Sequence, residues 1–142
     1  MFFTDDSEVK IIGKEAFSHS SISTISFPKS VSEISDGCFS FCYNLETIEV
    51  PEDSQLKTIG NDSFSGSSII NISIPKSVTK LGRRSFYGCY NLKGVEFSAE
   101  SQLNTFEEET FSMSSIEKVS IPFQIRTINE NVFAGCSNLK VV

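Results

Sequence analysis

The apolar residues of this chain fall into short frames that recur, not into one long amphipathic element. Phe17, Phe39, Phe64, Phe86, Phe111 and Phe133 anchor the frames and are separated by 22, 25, 22, 25 and 22 residues. Eight residues before each stands an aliphatic: Val9, Val31, Leu56, Val78, Leu103 and Ile125. Five residues before each stands another apolar residue: Ile12, Ile34, Ile59, Leu81, Phe106 and Ile128. After the Phe comes a third apolar set, spaced Leu45-x-x-Ile48-x-Val50 or Ile69-x-x-Ile72-x-Ile74 and usually closed by proline, as at Pro51 and Pro75. Self-similarity at a period of this length is the signature of a stacked repeat.

The third set ends in period-2 alternation of β-branched residues, which predicts a short strand. The proline after it has no backbone donor and stops the ladder. The Val-x-x-Ile-Gly stretch reads as a second extended piece, with Gly60 or Gly82 permitting the turn that follows. The segment around each Phe reads as a single helical or 3-10 turn. Alone, such a unit cannot bury its apolar edge; stacked, its strands pair with their neighbours and its Phe packs on the next. The expected architecture is an α/β repeat, a solenoid of about six 22–25-residue coils. It has a parallel strand ladder and short helical or 3-10 turns.

The alternation of 22 and 25 makes a 47-residue super-repeat. Long units carry Cys42, Cys89 and Cys136 followed two residues later by Asn44, Asn91 and Asn138, while short units carry Ser20, Ser67 and Ser114 in place of the Cys. The chain reads as one domain, 1–142, with units at approximately 1–8 (partial), 9–30, 31–55, 56–77, 78–102, 103–124 and 125–142 (partial). Met1 and Phe3 fall in register with Ile48 and Val50, and positions 1, 48, 95 and 142 share one phase. No polar capping unit is visible at either end, whereas solenoids normally need caps. A piece of a longer array is therefore expected, with a tendency to associate end to end through exposed strand edges.

Composition narrows the function. With a net charge of −6 and a pI near 4.8, the chain lacks the basic footprint that a phosphate backbone requires, which argues against nucleic acid. No apolar run approaches the roughly 20 residues of a membrane span, so no membrane insertion by this segment is expected. Met1 to Asp6 has no secretory-signal pattern, which says little of a longer parent.

The frame carried by Val78, Leu81, Gly82, Phe86, Cys89, Leu92, Val95 and Phe97 closely resembles the BspA-like class of leucine-rich repeats. Ile59, Gly60, Phe64, Ile72, Ile74 and Pro75 carry it equally, and the resemblance extends over essentially the whole chain. The departures are Ser98 for Pro and Ser for Cys in the short units. The resemblance implies a leucine-rich-repeat solenoid. It also implies kinship with surface or secreted proteins of host-associated bacteria and protozoan parasites that adhere to host proteins and cells.

The catalytic inventory is thin. Cys42, Cys89 and Cys136 lie two coils apart, roughly 10 Å at about 4.8 Å per strand, too far for a disulfide. Cys38 could approach Cys42, but no His or further Cys completes a zinc site; small apolar core residues are the expected role. His19 is the one histidine, and its equivalents Phe41, Gly66, Gly88, Met113 and Gly135 are turn residues, so no catalytic site is expected. Asn44, Asn91 and Asn138 are expected to hydrogen-bond turn backbone. The acidic stretches Asp5 to Glu8, Glu52–Asp53 and Glu100 should line one solvated edge, with too few oxygens for calcium. No metal or other cofactor is expected.

The outward strand positions form the candidate site. One column is Thr24, Thr47, Asn71, Gly94, Lys118 and Val141; the other is Ser26, Glu49, Ser73, Glu96 and Ser120. The residues expected to bind protein are Thr24, Ser26, Thr47, Glu49, Asn71, Ser73, Glu96, Lys118 and Ser120. They favour a non-catalytic interaction module engaging proteins or glycans, at the cell surface or secreted, with an intracellular scaffold of the same fold as the alternative.

Overall fold

Backbone hydrogen bonding in this fold runs mostly between neighbouring coils. A computed structural model describes residues 3–4 and 6–142; the expected alignment of Met1 and the acidic position Asp5 lie outside them. The strands are β1 Ile11–Ile12, β2 Thr24–Ser26, β3 Glu33–Ile34, β4 Thr47–Glu49, β5 Thr58–Ile59 and β6 Asn71–Ile74. They continue as β7 Lys80–Leu81, β8 Gly94–Phe97, β9 Thr105–Phe106, β10 Lys118–Val119 and β11 Thr127–Ile128.

All pairing is parallel, and it builds two faces. On one face β2 pairs with β4, and β6, β8 and β10 form a second ladder. The register matches Thr24 with Thr47, Ser26 with Glu49, Asn71 with Gly94 and Ser73 with Glu96, the columns that the period-2 pattern predicts. On the other face β1, β3, β5 and β7 form a four-stranded ladder and β9 pairs with β11. The second extended piece of each unit thus has a sheet of its own. Ile12, Ile34, Ile59, Leu81 and Phe106 enter the core from that sheet; Ile25, Ile48, Ile72, Val95 and Val119 enter from the first.

The third side of each coil carries the anchor Phe, and here the expected helical or 3-10 turn is replaced by consecutive isolated turns. Ser18 and Ser20 donate to the carbonyls of Glu15 and Phe17, three residues back, at 3.1 and 3.0 Å. The intervening Phe17 and His19 donate to Cys38 and Ser40 of the next coil, both at 2.9 Å. Every second N–H leaves the turn, so no helical run forms. Left-handed residues enforce the break, two before and two after each Phe: Glu15 and His19, Gly37 and Phe41, Asp62 and Gly66, Arg84 and Gly88, Glu109 and Met113, Asn131 and Gly135.

The anchors stack in near-parallel pairs. Successive ring centroids from Phe17 to Phe133 are 5.2, 5.2, 5.5, 5.6 and 5.8 Å apart, with interplanar angles of 3° to 11°. This is offset-stacking distance. Gly60 and Gly82 have a different role from the one expected. Neither takes a left-handed φ; a Cβ at Gly60 would lie 2.6 Å from the Asp36 backbone nitrogen, and one at Gly82 2.5 Å from that of Asn61. They are glycine because the preceding coil passes too close for a side chain. The approach lets Asp36 Oδ1 accept from the Asn61 N–H at 2.8 Å and Asn61 Oδ1 from the Arg83 N–H at 2.9 Å.

Candidate protein-binding face

The ladder of the outward face is interrupted between β4 and β6, which belong to separate sheets. An open depression of about 480 Å³ lies at this interruption, bordered by Ser26, Glu49, Asn71 and Ser73 with Ile48 and Ile72 beneath. A second, of about 1020 Å³, adjoins it through Val50 and Ser73 and reaches Glu96, Glu52, Asp53, Lys76 and Glu100. Five of the nine expected residues (Ser26, Glu49, Asn71, Ser73 and Glu96) therefore border one continuous groove. Thr24, Thr47, Lys118 and Ser120 stand on the same face outside it.

The groove is electrostatically one-sided. Its carboxylates are Glu49, Glu52, Asp53, Glu96 and Glu100, and its one ammonium is Lys76, held by Glu100 at 3.0 Å. That pair is solvent-exposed and contributes little stability. Glu49 is oriented by the Ser26 hydroxyl, which donates to its Oε2 at 2.5 Å. Asn71 folds its carboxamide across Gly94, where any Cβ would meet Asn71 Oδ1 at 2.7 Å. Sequence reasoning placed the acidic loops on a separate solvated edge. The structure sets Glu52, Asp53 and Glu100 beside the strand columns, and the phase shared by Pro51 and Ser98 was the signal available.

The other candidates find plain structural places. Cys42, Cys89 and Cys136 donate their thiols to the carbonyls of Phe17, Phe64 and Phe111 at 3.0, 3.1 and 3.1 Å. The hydroxyls of Ser20, Ser67 and Ser114 lie 3.5, 3.5 and 3.3 Å from these sulfurs, so the Ser-for-Cys alternation builds a Ser–Cys pair in each super-repeat. All four cysteines are free and buried. Burial pushes the Cys38 and Cys89 thiols up to about 12. His19 stacks on Phe41 at 5.1 Å, in the left-handed position that the turn requires. The Asn44, Asn91 and Asn138 side chains make none of the expected bonds to turn backbone; all three are exposed to solvent. Among the described residues no cluster of His, Cys, Asp or Glu has the form of a metal site, and no helix is long and apolar enough to cross a membrane.

Residues 10–140 match the BspA-type leucine-rich repeat region in six copies. The chain belongs to that family. The resemblance drawn from its Phe, Cys and Ile-Gly positions is thereby established, and this family is one of generally non-enzymatic repeat proteins. The BspA-type chain superposes on the pneumococcal vaccine antigen PcpA with a TM-score of 0.83 at 27% identity, covering 89% of this chain and 34% of that one. A leucine-rich repeat protein from Bacteroides ovatus gives 0.69 at 26%, covering 94% and 40%. A leucine-rich cell surface protein from Faecalibacterium prausnitzii gives 0.64 at 21%, covering 94% and 42%, and shares the fold. The chain thus spans about a third to two-fifths of the length of these structures. No curated protein matches it.

Proposed function

We propose that this BspA-type repeat is a non-catalytic module that docks a basic segment of a protein partner into the acidic strand-side groove, in a cell-surface or secreted adhesion protein. The observation that carries the reading is the juxtaposition of Glu49 and Glu96 with Glu52, Asp53 and Glu100 around one groove. Carboxylates of one sign on a regular face steer an oppositely charged partner and fix its register. The groove offers no Arg, and its two aromatic side chains, Phe27 and Phe97, are buried or half-buried and packed on the core rather than standing out as anchors of the kind that dominate tight interfaces, so affinity per repeat is modest and grows when many repeats engage at once. The surface location draws support from two structural neighbours, one a pneumococcal vaccine antigen and the other a cell surface protein.

The test starts from a protein captured from host-surface extract and identified. The double variant Glu49→Lys, Glu96→Lys should weaken that complex at least about tenfold at low salt, with the difference shrinking as salt screens the groove. Unchanged affinity would sink the reading. The four free thiols favour a second reading, an intracellular scaffold, because disulfide-free cysteines are the norm in reducing compartments. Protease shaving of intact cells separates the two: a surface module is lost and a cytosolic one survives.

A further inference from the structure

The turn side of the solenoid carries another depression, remote in kind from the acidic groove. It has a volume of about 360 Å³ and is lined by Phe41, Tyr43, Tyr87, Tyr90, Arg84 and Asn91, over Gly66 and Gly88. All three tyrosines of the chain are there. Two glycines create it. In the column two residues after each anchor, His19, Phe41 and Met113 project side chains, whereas Gly66 and Gly88 leave a gap two coils wide. The Phe41 ring leans over Gly66, where a Cβ would lie 2.9 Å from its Cδ1, and a Cβ at Gly88 would lie 3.9 Å from the Tyr90 ring. Tyr43 and Tyr90 stand out into solvent at 66% and 65% exposure, which leaves their rings available to a ligand.

The groove offers hydrogen-bond donors that have no partner within it. Among the described residues, the three tyrosine hydroxyls and the Asn91 carboxamide have no hydrogen-bond partner. Arg84 Nε is buried without a hydrogen-bond partner; the Asp62 and Glu109 carboxylates stand at 3.7 and 3.8 Å, beyond hydrogen-bond reach. The guanidinium lies over the Tyr87 ring at 4.1 Å. The backbone carbonyls of Tyr43 and Tyr90 already take the hydroxyls of Ser68 and Ser115. Such a surface suits a ligand with apolar rings and unpaired carbonyl acceptors. A polyproline II segment is that ligand, since its carbonyls are unpaired and its prolines have no N–H. The spacing agrees as well. Tyr43 and Tyr90 hold equivalent places two coils apart, roughly 10 Å at about 4.8 Å per strand, and one polyproline II turn rises about 9 Å.

We propose that this tyrosine-lined groove binds a proline-rich peptide segment in the polyproline II conformation, two prolines one turn apart seating against Tyr43 and Tyr90. Aromatic-lined grooves are the general solution for such segments.

The chain has no Trp, so its intrinsic emission comes from tyrosines that all line this groove, and the strand face is silent. Titrating the whole chain with synthetic decaproline should give a saturable change in tyrosine emission. Tyr90→Ala and Tyr43→Ala should each weaken binding about tenfold or more, with unchanged thermal unfolding because both rings are exposed. The Glu49→Lys, Glu96→Lys protein should bind decaproline like the parent, so this proposal and that for the acidic groove stand or fall separately. Two results overturn it: no saturable change up to millimolar decaproline, or a saturable change with maltohexaose and none with decaproline.

Discussion

Buried polar atoms without partners mark where single side chains can be improved. The Ser63 and Ser85 hydroxyls are buried and unpaired, in the column just before the anchor Phe. Ala16 and Val132 fill the same column in other coils, so nothing there demands a hydroxyl. Removing a buried group that makes no hydrogen bond recovers its desolvation cost, and Ser85→Ala should raise unfolding stability by about 1 kcal/mol in urea titration. Glycines of one column separate in the opposite direction. Gly82→Ala should lose about 1–3 kcal/mol by overpacking against Asn61, while Gly13→Ala, with nothing within 4 Å of its Cβ, should be tolerated. The thiols give a pH signature. Cys38 and Cys89, ordinarily near 9, are pushed up to about 12 by burial, so the fold favours their neutral form. Their stabilising contribution is complete below about pH 9 and drains away as pH rises toward 12. Native protein at pH 8 should resist a thiol-specific disulfide reagent that reacts at once when urea is added.

At the scale of elements, the Phe ladder and the two strand ladders are mutually dependent, because each interior Phe is sandwiched between its neighbours. Phe64 lies between Phe39 and Phe86 and is fully buried. Phe64→Ala should cost about 3–5 kcal/mol, read as a fall in the urea midpoint. The strands were legible because both signals that specify them are local: period-2 alternation sets the face, and the repeat sets the register of Ser26 on Glu49 and Ser73 on Glu96. The turn side was not. Its geometry depends on a backbone that alternates bonds within the coil with bonds to the next, and half of the left-handed places beside the anchors are filled by Glu15, His19, Phe41, Arg84, Glu109 and Met113, residues with no turn signature of their own. The site followed the same division. Its strand columns could be written from the repeat, whereas the groove between β4 and β6 could not, because the ladder break that opens it has no counterpart in the residue pattern. The Tyr43–Tyr90 groove was hidden for a related reason: Gly66 and Gly88 read as turn residues, and only stacking turns two adjacent glycines into a gap.

For the whole molecule, the 47-residue phase makes a strict demand on which deletions can fold. Leu56 and Leu103 hold the same place in successive super-repeats, so joining Gln55 to Leu103 removes residues 56–102 without shifting any column. The anchor Phe39 would then meet Phe111, a residue of the same type and position as Phe64. In a quasi-one-dimensional stack, stability is close to a sum of unit and nearest-neighbour terms, so the shortened chain should remain folded with a native-like circular dichroism spectrum. Its urea m-value should fall by about a third, in proportion to the surface removed, and its midpoint should fall with it. A deletion of 56–95 is seven residues shorter but joins Gln55 to Glu96, placing a loop end in mid-strand. That chain turns the following apolar columns out of phase with those before the joint and should fail to fold cooperatively. If both deletions behaved alike, register between coils would not be what holds this solenoid together, and the argument from columns to grooves would lose its footing. The in-phase deletion also removes Tyr87, Tyr90, Ser73 and Glu96 together, so it should abolish the decaproline response and weaken the acidic groove in one protein that is still folded.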